Sequence, residues 1–237
     1  MNPEYGDIFT RRGDAYHRAM LRHPRARDAE FGLLFAGSPA QAGQRVLDLP
    51  SGGGYLGQHL PAGVELVGLE LSSGFAADVA VHHEGQPWTF GRFDHAVCLA
   101  ALHHIEDQAG FLRMLLSHLG PSGTLHLADV PRDSGVAHFL DGFVGRYNVT
   151  GHVGQYLGGD PSWFATIGKR ARLRECACPW RFDDEAQMLD FCGGLFGLVD
   201  CPPAALRDAL DRHVGIRHGD GRVLLDWRLL YVDLEPA

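Results

Sequence analysis

Short apolar runs recur along the chain, each closed by a polar or turn-forming residue: Val46 to Leu49, Val64 to Leu71, Ala96 to Leu102 and Leu125 to Val130. Runs of this length read as buried strands, whereas a helix on the surface of a core shows apolar residues three and four apart. Strands are therefore predicted near 45–49, 64–70, 78–83, 94–99 and 124–130. Helical text fills the gaps: a segment up to about Phe35, a helix after the glycines that follow Pro50, and one over about 107–119. Asp107 is placed to cap the last of these, and Gly120-Pro121 to stop it. Strands alternating with helices predict a mostly parallel sheet with helices on both faces.

Beyond Pro131 the pattern changes. Gly- and aromatic-rich text, including Arg146-Tyr147-Asn148-Val149-Thr150-Gly151-His152, reads as a lid over the sheet. Arg170 to Arg181 is the expected sixth strand, followed by helices over Asp183 to Phe196 and Pro203 to Val214. After the turn signal Asp220-Gly221, the residues Val223, Leu225, Trp227, Leu229 and Tyr231 alternate with Asp226 and Arg228. That period of two predicts one final strand with unlike faces. No internal repeat is evident.

The most informative stretch is Val46-Leu47-Asp48-Leu49-Pro50-Ser51-Gly52-Gly53-Gly54-Tyr55-Leu56-Gly57. It reads as a buried strand running into a glycine turn. Glycine allows positive φ and lets the backbone approach a ligand, while free N–H groups offer donors to it. Glu70 ends the next apolar run, roughly twenty residues beyond Asp48, where nucleotide-binding α/β folds keep the carboxylate that holds ribose hydroxyls. A ligand with a methionyl and an adenosyl end fits both features. Asp48 would accept from its ammonium or from the turn's own N–H groups, and Glu70 from both hydroxyls of its ribose.

These residues resemble the first motif of class I S-adenosylmethionine-dependent methyltransferases, Asp-Leu-Gly-Cys-Gly-x-Gly, with Pro50 at the first glycine and Ser51 at the cysteine. Phe93 to Asp107 resembles the family's fourth strand and its Leu-His-His-x-x-Asp continuation, and Gly120 to Val130 its glycine turn and fifth strand. Phe9 and Tyr16 match a cap helix that closes over the cofactor in small-molecule members. The resemblance implies a Rossmann-like, seven-stranded, mostly parallel sheet whose last strand enters antiparallel between the fifth and sixth, with helical lid insertions. It implies one methyltransferase-like domain over 1–237, made of a helical cap (1–36), a cofactor-binding core (37–131), a lid and sixth-strand region (132–215) and a C-terminal strand (216–237). S-adenosyl-L-methionine, with S-adenosyl-L-homocysteine as product, would be held by Tyr16, Asp48, Pro50, Ser51, Gly52, Gly54, Glu70, Leu71, Leu99 and Ala100. His82 or Glu84 would stand beside the adenine. The helix after the second strand is expected to be little more than Ser72 to Ala77.

A sulfonium methyl is already activated, so alignment and exclusion of water carry much of the reaction. A base is optional. His103 and His104, at the end of the fourth strand, lie where open α/β sheets place ligands, and His152, Tyr147 and Asn148 of the lid could face them. His103, His104 and His152 are the candidate catalytic residues. Asp129 reads equally as a turn residue and as a functional carboxylate, and Trp163, Trp180 and Trp227 as packing residues.

Charge and cysteine usage narrow the partners. A net charge of −8 argues against a broad nucleic-acid surface, and Arg11, Arg12, Arg18, Arg22, Arg25 and Arg27 recur at helical spacing as a solvated face, with contact to an anionic substrate or RNA as the lesser reading. No apolar run approaches the ~18 residues of a membrane span. Five cysteines make no even disulfide framework, which fits a reducing cytoplasm. Cys176-Ala177-Cys178 supplies only two of about four zinc ligands, so no metal is expected. The chain is expected to be a monomer or homodimer acting on a small molecule, without nucleic acid or membrane. Two other readings stay open. Gly52-x-Gly54-x-x-Gly57 also fits the dinucleotide fingerprint of an NAD-dependent oxidoreductase, and the departure at Pro50 fits a cofactor-binding protein that transfers no methyl group.

Overall fold

The computed structural model describes residues 5–75, 78–83, 85–168 and 170–236. Its strands are β1 Arg45–Asp48, β2 Glu65–Glu70, β3 Ala80–Val81, β4 Phe93–Leu99, β5 Leu119–Asp129, β6 Arg170–Ala177, β7 Trp180–Phe182, β8 Ile216–Gly219, β9 Arg222–Leu225 and β10 Arg228–Glu235. Seven form one sheet in the order β3-β2-β1-β4-β5-β10-β6. β1 pairs parallel with β2 and β4, and β4 with β5, while β10 runs antiparallel between β5 and β6. The antiparallel strand thus takes the predicted place.

Alternation along the central strands feeds two cores, one on each face. Val46, Val97 and Ala128 point to the side covered by α2 (Asp28–Leu34), α7 (Glu185–Leu195) and α8 (Pro203–His213). Leu47, Ala96, Cys98 and Leu127 point to the other, where Leu112, Leu115 and Leu116 of α3 (Gln108–Ser117) pack. Asp107 caps α3 by accepting from the Gly110 N–H at 2.9 Å. α1 (Tyr5–Arg22) crosses from one core to the other, giving Tyr5, Ile8 and Phe9 to the second and Ala19 and Met20 to the first.

The crossing is close because two glycines meet there. A methyl group on Gly74 would lie 2.0 Å from the Phe9 carbonyl oxygen, and one on Gly13 would lie 2.7 Å from the Gly74 carbonyl carbon. No side chain fits between these backbones. Tyr5, Phe9, Arg12 and Tyr16 are thereby held over the ends of β1 and β4.

Several expectations are corrected. The helix after the glycine turn is a single 3-10 turn, Leu56–His59, because Pro61 follows too soon for a longer one. No helix follows β2 among the described residues: Ser72 to Phe75 form a turn, and Ala76 and Ala77 lie outside them. β5 begins at Leu119, before Gly120-Pro121, and its register against β4 shifts between Phe93 and His95 as Gly120 to Gly123 bulge out. The expected strand from Arg170 to Arg181 ends at Ala177, and Trp180–Phe182 joins a second sheet, β7-β9-β8. The alternating C-terminal text likewise belongs to two strands. β9 turns back on β8 through Asp220 and Gly221, whose φ values of 51° and 66° suit a tight hairpin, and β10 returns to the main sheet. Continuous alternation hid the break at Asp226-Trp227, where Trp227 donates its N–H to the Leu225 carbonyl at 2.7 Å.

The text read as a lid folds as α4 (Gly135–His138), a π-helical turn over Phe139–Val144, α5 (Gly145–Tyr147) and α6 (Pro161–Ala165). It packs through α4 and the π turn against α8.

Candidate active site

Strand order reverses at β1: the chain proceeds outward through β2 and β3, then returns to β4 on the other side. Such switch points open a crevice beyond the strand ends. A cavity lies there, floored by Asp48, Pro50, Ser51, Gly52, Leu99 and Ala100 and roofed by Tyr5, Phe9, Arg12 and Tyr16 of α1. His103, His104 and His152 line it too, and Trp180, Phe196 and Trp227 give it an aromatic wall.

The glycine turn is built for close approach. Leu49-Pro50 is a cis peptide, and Gly52 and Gly54 have φ of 58° and 78°. Asp48 is buried at the end of β1, where its backbone pairs with β2 and β4, and its carboxyl accepts no hydrogen bond from a described residue. Burial, and then the charge of Glu70, push its carboxyl up to about 8. The Ser51 hydroxyl is also buried without a partner. Unpaired polar groups in a cavity wall are costly unless a ligand completes them.

Glu70 points at the turn, accepting from the Gly52 N–H at 2.6 Å on Oε2 and from the Leu71 and Ser72 N–H groups at 2.8 and 3.1 Å on Oε1. Burial nonetheless lifts it to about 7. The Tyr5 hydroxyl donates to the same Oε2 at 3.2 Å. Glu70, Gly54 and Leu71 therefore stand behind the cavity wall rather than in it. Glu84 lies outside the described residues. His82 packs edge-on against Trp88 and is no part of the wall.

The three candidate histidines converge. His103 Nδ1 donates to Asp129 Oδ1 at 2.6 Å, and its backbone N–H to Oδ2 at 3.0 Å. Asp129 is fully buried, and its Oδ1 also accepts from the Val130 N–H at 2.7 Å, so one side chain both closes the strand end and holds this histidine. His152 Nδ1 donates to Asp141 Oδ1 at 3.0 Å, which also accepts from the Tyr156 hydroxyl at 2.6 Å. Burial is the main cause that brings His152 down to about 4, against the pull of Asp141. His104 is lowered well below its ordinary value by burial, then by His103, His152 and Arg12. With both Nδ1 atoms engaged, Nε2 is the free nitrogen of His103 and of His152. One ring nitrogen of each of the three lies within 4.8 Å of the others, a spacing that could gather a metal ion. The Arg12 charge acting on His104 and His152 opposes a dication there.

Tyr147 and Asn148 do not face these groups. Asn148 closes a turn, donating to the Phe196 carbonyl at 2.6 Å and accepting from Thr150, and Tyr147 packs on Phe143. Trp180 and Trp227 stack with ring centres 4.1 Å apart, so they do pack as expected, yet both also line the cavity. Sequence reasoning missed Tyr5, Arg12, Arg27 and Tyr55. The signal for the first two was present: Tyr5, Ile8, Phe9 and Arg12 repeat at three and four residues, the buried stripe of α1, and the half-buried Tyr16 continues it. Arg12 and Arg27 thus leave the solvated face assigned to them, being 7 % and 4 % exposed.

Residues 21–167, more than half of the chain, match a family model described as a methyltransferase domain. The chain belongs to the methyltransferase domain family. No curated protein matches it. Among solved structures it is similar to the YcgJ protein of Bacillus subtilis, with a TM-score of 0.59 at 17% identity over 88% of this chain and 98% of that one. A Thermotoga maritima protein described as an S-adenosylmethionine-dependent methyltransferase, possibly a histamine N-methyltransferase, gives 0.61 at 14% over 98% and 100%. The [4+2]-cyclase SpnF gives 0.57 at 13% over 100% and 98%. At these identities the structural likeness establishes the class I methyltransferase fold.

Proposed function

We propose that this methyltransferase uses S-adenosylmethionine to methylate a small organic acceptor held beside His103. The observation that carries the reading is the pairing, in one cavity, of the unpartnered Asp48 carboxyl with the Gly52 turn that Glu70 braces. An ammonium group would give Asp48 the partner that the fold withholds. Ser51 and the turn backbone would face the methionyl end, Leu99 and Ala100 would support the adenosyl end, and Tyr16 would close over it. Ribose would reach Glu70 Oε2 in exchange for the Tyr5 hydroxyl. Bound there, the sulfonium supplies an activated methyl group.

The chain's own residues do the rest. α1 and the aromatic wall exclude water, and Asp129 holds His103 in one orientation with Nε2 free to take a proton from an acceptor hydroxyl or ammonium. Because α1 and the aromatic wall enclose the cavity, it suits an organic molecule, and the net charge of −8 argues against nucleic acid. No described helix is long and apolar enough to cross a membrane, and action in the cytoplasm as a monomer or homodimer completes the proposal.

Calorimetry with S-adenosylhomocysteine tests the cofactor, with NADH as the competing ligand. Heat with NADH and none with the homocysteine compound would overturn the assignment. A second reading, binding without methyl transfer, draws on the Tyr5 hydroxyl that already occupies Glu70. Turnover separates the two: release of S-adenosylhomocysteine when the protein is fed fractionated cell metabolites supports transfer, and binding without release supports the second.

A further inference from the structure

Two arginines of α1 and the segment after it are buried, and the fold treats them differently. Arg27 donates from Nε to Glu30 Oε2 at 2.7 Å and pairs with the Tyr16 hydroxyl, and Glu30 in turn accepts from the Trp180 indole. Arg12 has nothing comparable. Its Nε and Nη1 are shut off from water without a hydrogen-bond partner among the described residues, although the side chain is only 7 % exposed. The groups whose charge acts on it are the phenols of Tyr16 and Tyr5, and no carboxylate is among them. Burial brings the guanidinium down only to about 10, so it stays charged at neutral pH. An arginine cannot escape burial by shedding its proton, and a buried cation without an anion is among the most costly arrangements a fold can hold.

The surroundings keep a place for this side chain. Its stem passes the bare backbone of Gly197, where an added methyl would lie 3.4 Å from Arg12 Cβ, and its guanidinium sits 4.9 Å from the centre of the Phe9 ring. The same Phe9 ring packs edge-on against His104, with ring centres 5.7 Å apart, and Gly197 follows Phe196 of the aromatic wall. Arg12 therefore belongs to the side of the cavity where the histidines and the aromatic wall meet.

We propose that the acceptor is an anion, a small organic molecule whose carboxylate or phosphate pairs with Arg12. Planar bidentate donors match either group. Pairing there would anchor the acceptor's far end and leave its nucleophile beside His103, with the aromatic wall of Trp180, Phe196 and Trp227 covering the body between. The proposal rests on the methyltransferase reading of the same cavity.

The test uses the full chain, saturated with S-adenosylhomocysteine, and three probes of one shape: benzoate, phenyl phosphate and the neutral benzamide. Tryptophan fluorescence reads binding through Trp180 and Trp227. At least one anion should bind ten times or more tightly than benzamide, and whether benzoate or phenyl phosphate wins tells carboxylate from phosphate. In Arg12→Met, which keeps the length and loses the charge, that preference should vanish while the ligand-free protein melts at the same or a higher temperature. Equal binding of all three probes by the wild type, or a preference that survives Arg12→Met, would overturn the proposal. So would Arg12→Met weakening S-adenosylhomocysteine but not 5′-methylthioadenosine, because the guanidinium would then hold the cofactor's own carboxylate. If the homocysteine compound does not bind, the cofactor reading fails by itself. The same probes on the protein alone still decide whether Arg12 takes an anion.

Discussion

Replacing Asp48 by asparagine should stabilise the ligand-free protein and cripple its cofactor site. Asp48 titrates near 8 in the fold against an ordinary value of 3.8, chiefly through burial and then through Glu70. A carboxyl whose value is raised on folding gives stability that is complete below about pH 4 and is lost as pH climbs through the folded value. At about 1.4 kcal/mol per pH unit the whole interval is worth up to about 6 kcal/mol. Part belongs to Glu70 and part is relieved by relaxation, which leaves about 2–4 kcal/mol for the side chain itself. Asparagine has the same shape and no charge to bury. Urea unfolding of both proteins should therefore coincide near pH 4 and diverge by that amount at pH 8, the variant being the more stable. The same variant should bind S-adenosylhomocysteine at least about tenfold more weakly, a loss of ~1.4 kcal/mol or more, since a charged partner of the ammonium is gone. A stability difference that does not change with pH, or an unaltered dissociation constant, would refute the reasoning.

Two further substitutions probe the frame around the site. Gly74→Ala should cost about 1–3 kcal/mol and lower the melting temperature by several degrees, because its methyl group would meet backbone of α1 rather than a movable side chain. An unchanged melt would mean that α1 is not held at that crossing. His95, bonded to His126 at 3.0 Å and Gln44 at 3.1 Å, is held down to about 4 by burial and then by His126. It is neutral in the fold and gains a proton more readily when unfolded, so its contribution is lost as pH falls from about 6.5 to 4. His95→Gln should flatten the acid limb of the stability curve by about 2–3 kcal/mol, and an identical limb in the variant would exclude His95 as its source.

Much of the sheet was legible because local pattern and tertiary role agree there. Val46-Leu47, Ala96-Val97-Cys98 and Leu125 to Ala128 are buried on both faces and read as strands without ambiguity. The motif residues that meet in the cavity, Asp48 and Pro50 to Gly52 from one strand end, Leu99 to Ala101 with His103 and His104 from the other, are near neighbours in sequence and leave their strands at the same edge. The break between β9 and β10 was not legible, since alternation records which side chains are buried and not which sheet buries them. Arg12 was hidden for a related reason. Its charge marks it as surface in any local scale, and only the helical phase set by Ile8, Phe9 and Tyr16 reveals that it faces inward.

That phase also puts α1 in competition with the cofactor. The Tyr5 hydroxyl and a ribose hydroxyl would bond the same oxygen of Glu70, whose other acceptor positions are held by backbone N–H groups. Ribose therefore cannot be accommodated by adding a bond, and Tyr5 has to yield. The pinning of Gly13 against Gly74 lies two helical turns further along, so only the first turn of α1 need loosen. Hydrogen exchange should then quicken in residues 5–9 when S-adenosylhomocysteine binds, while residues 13–22 keep or gain protection. Tyr5→Phe removes the competing hydroxyl and retains the ring, and should tighten the same ligand about three- to tenfold, the balance of a charged hydrogen bond released and another formed. Uniform protection along α1 together with weaker binding by Tyr5→Phe would show instead that the hydroxyl bridges Glu70 to the ligand, making Tyr5 part of the binding site rather than its rival.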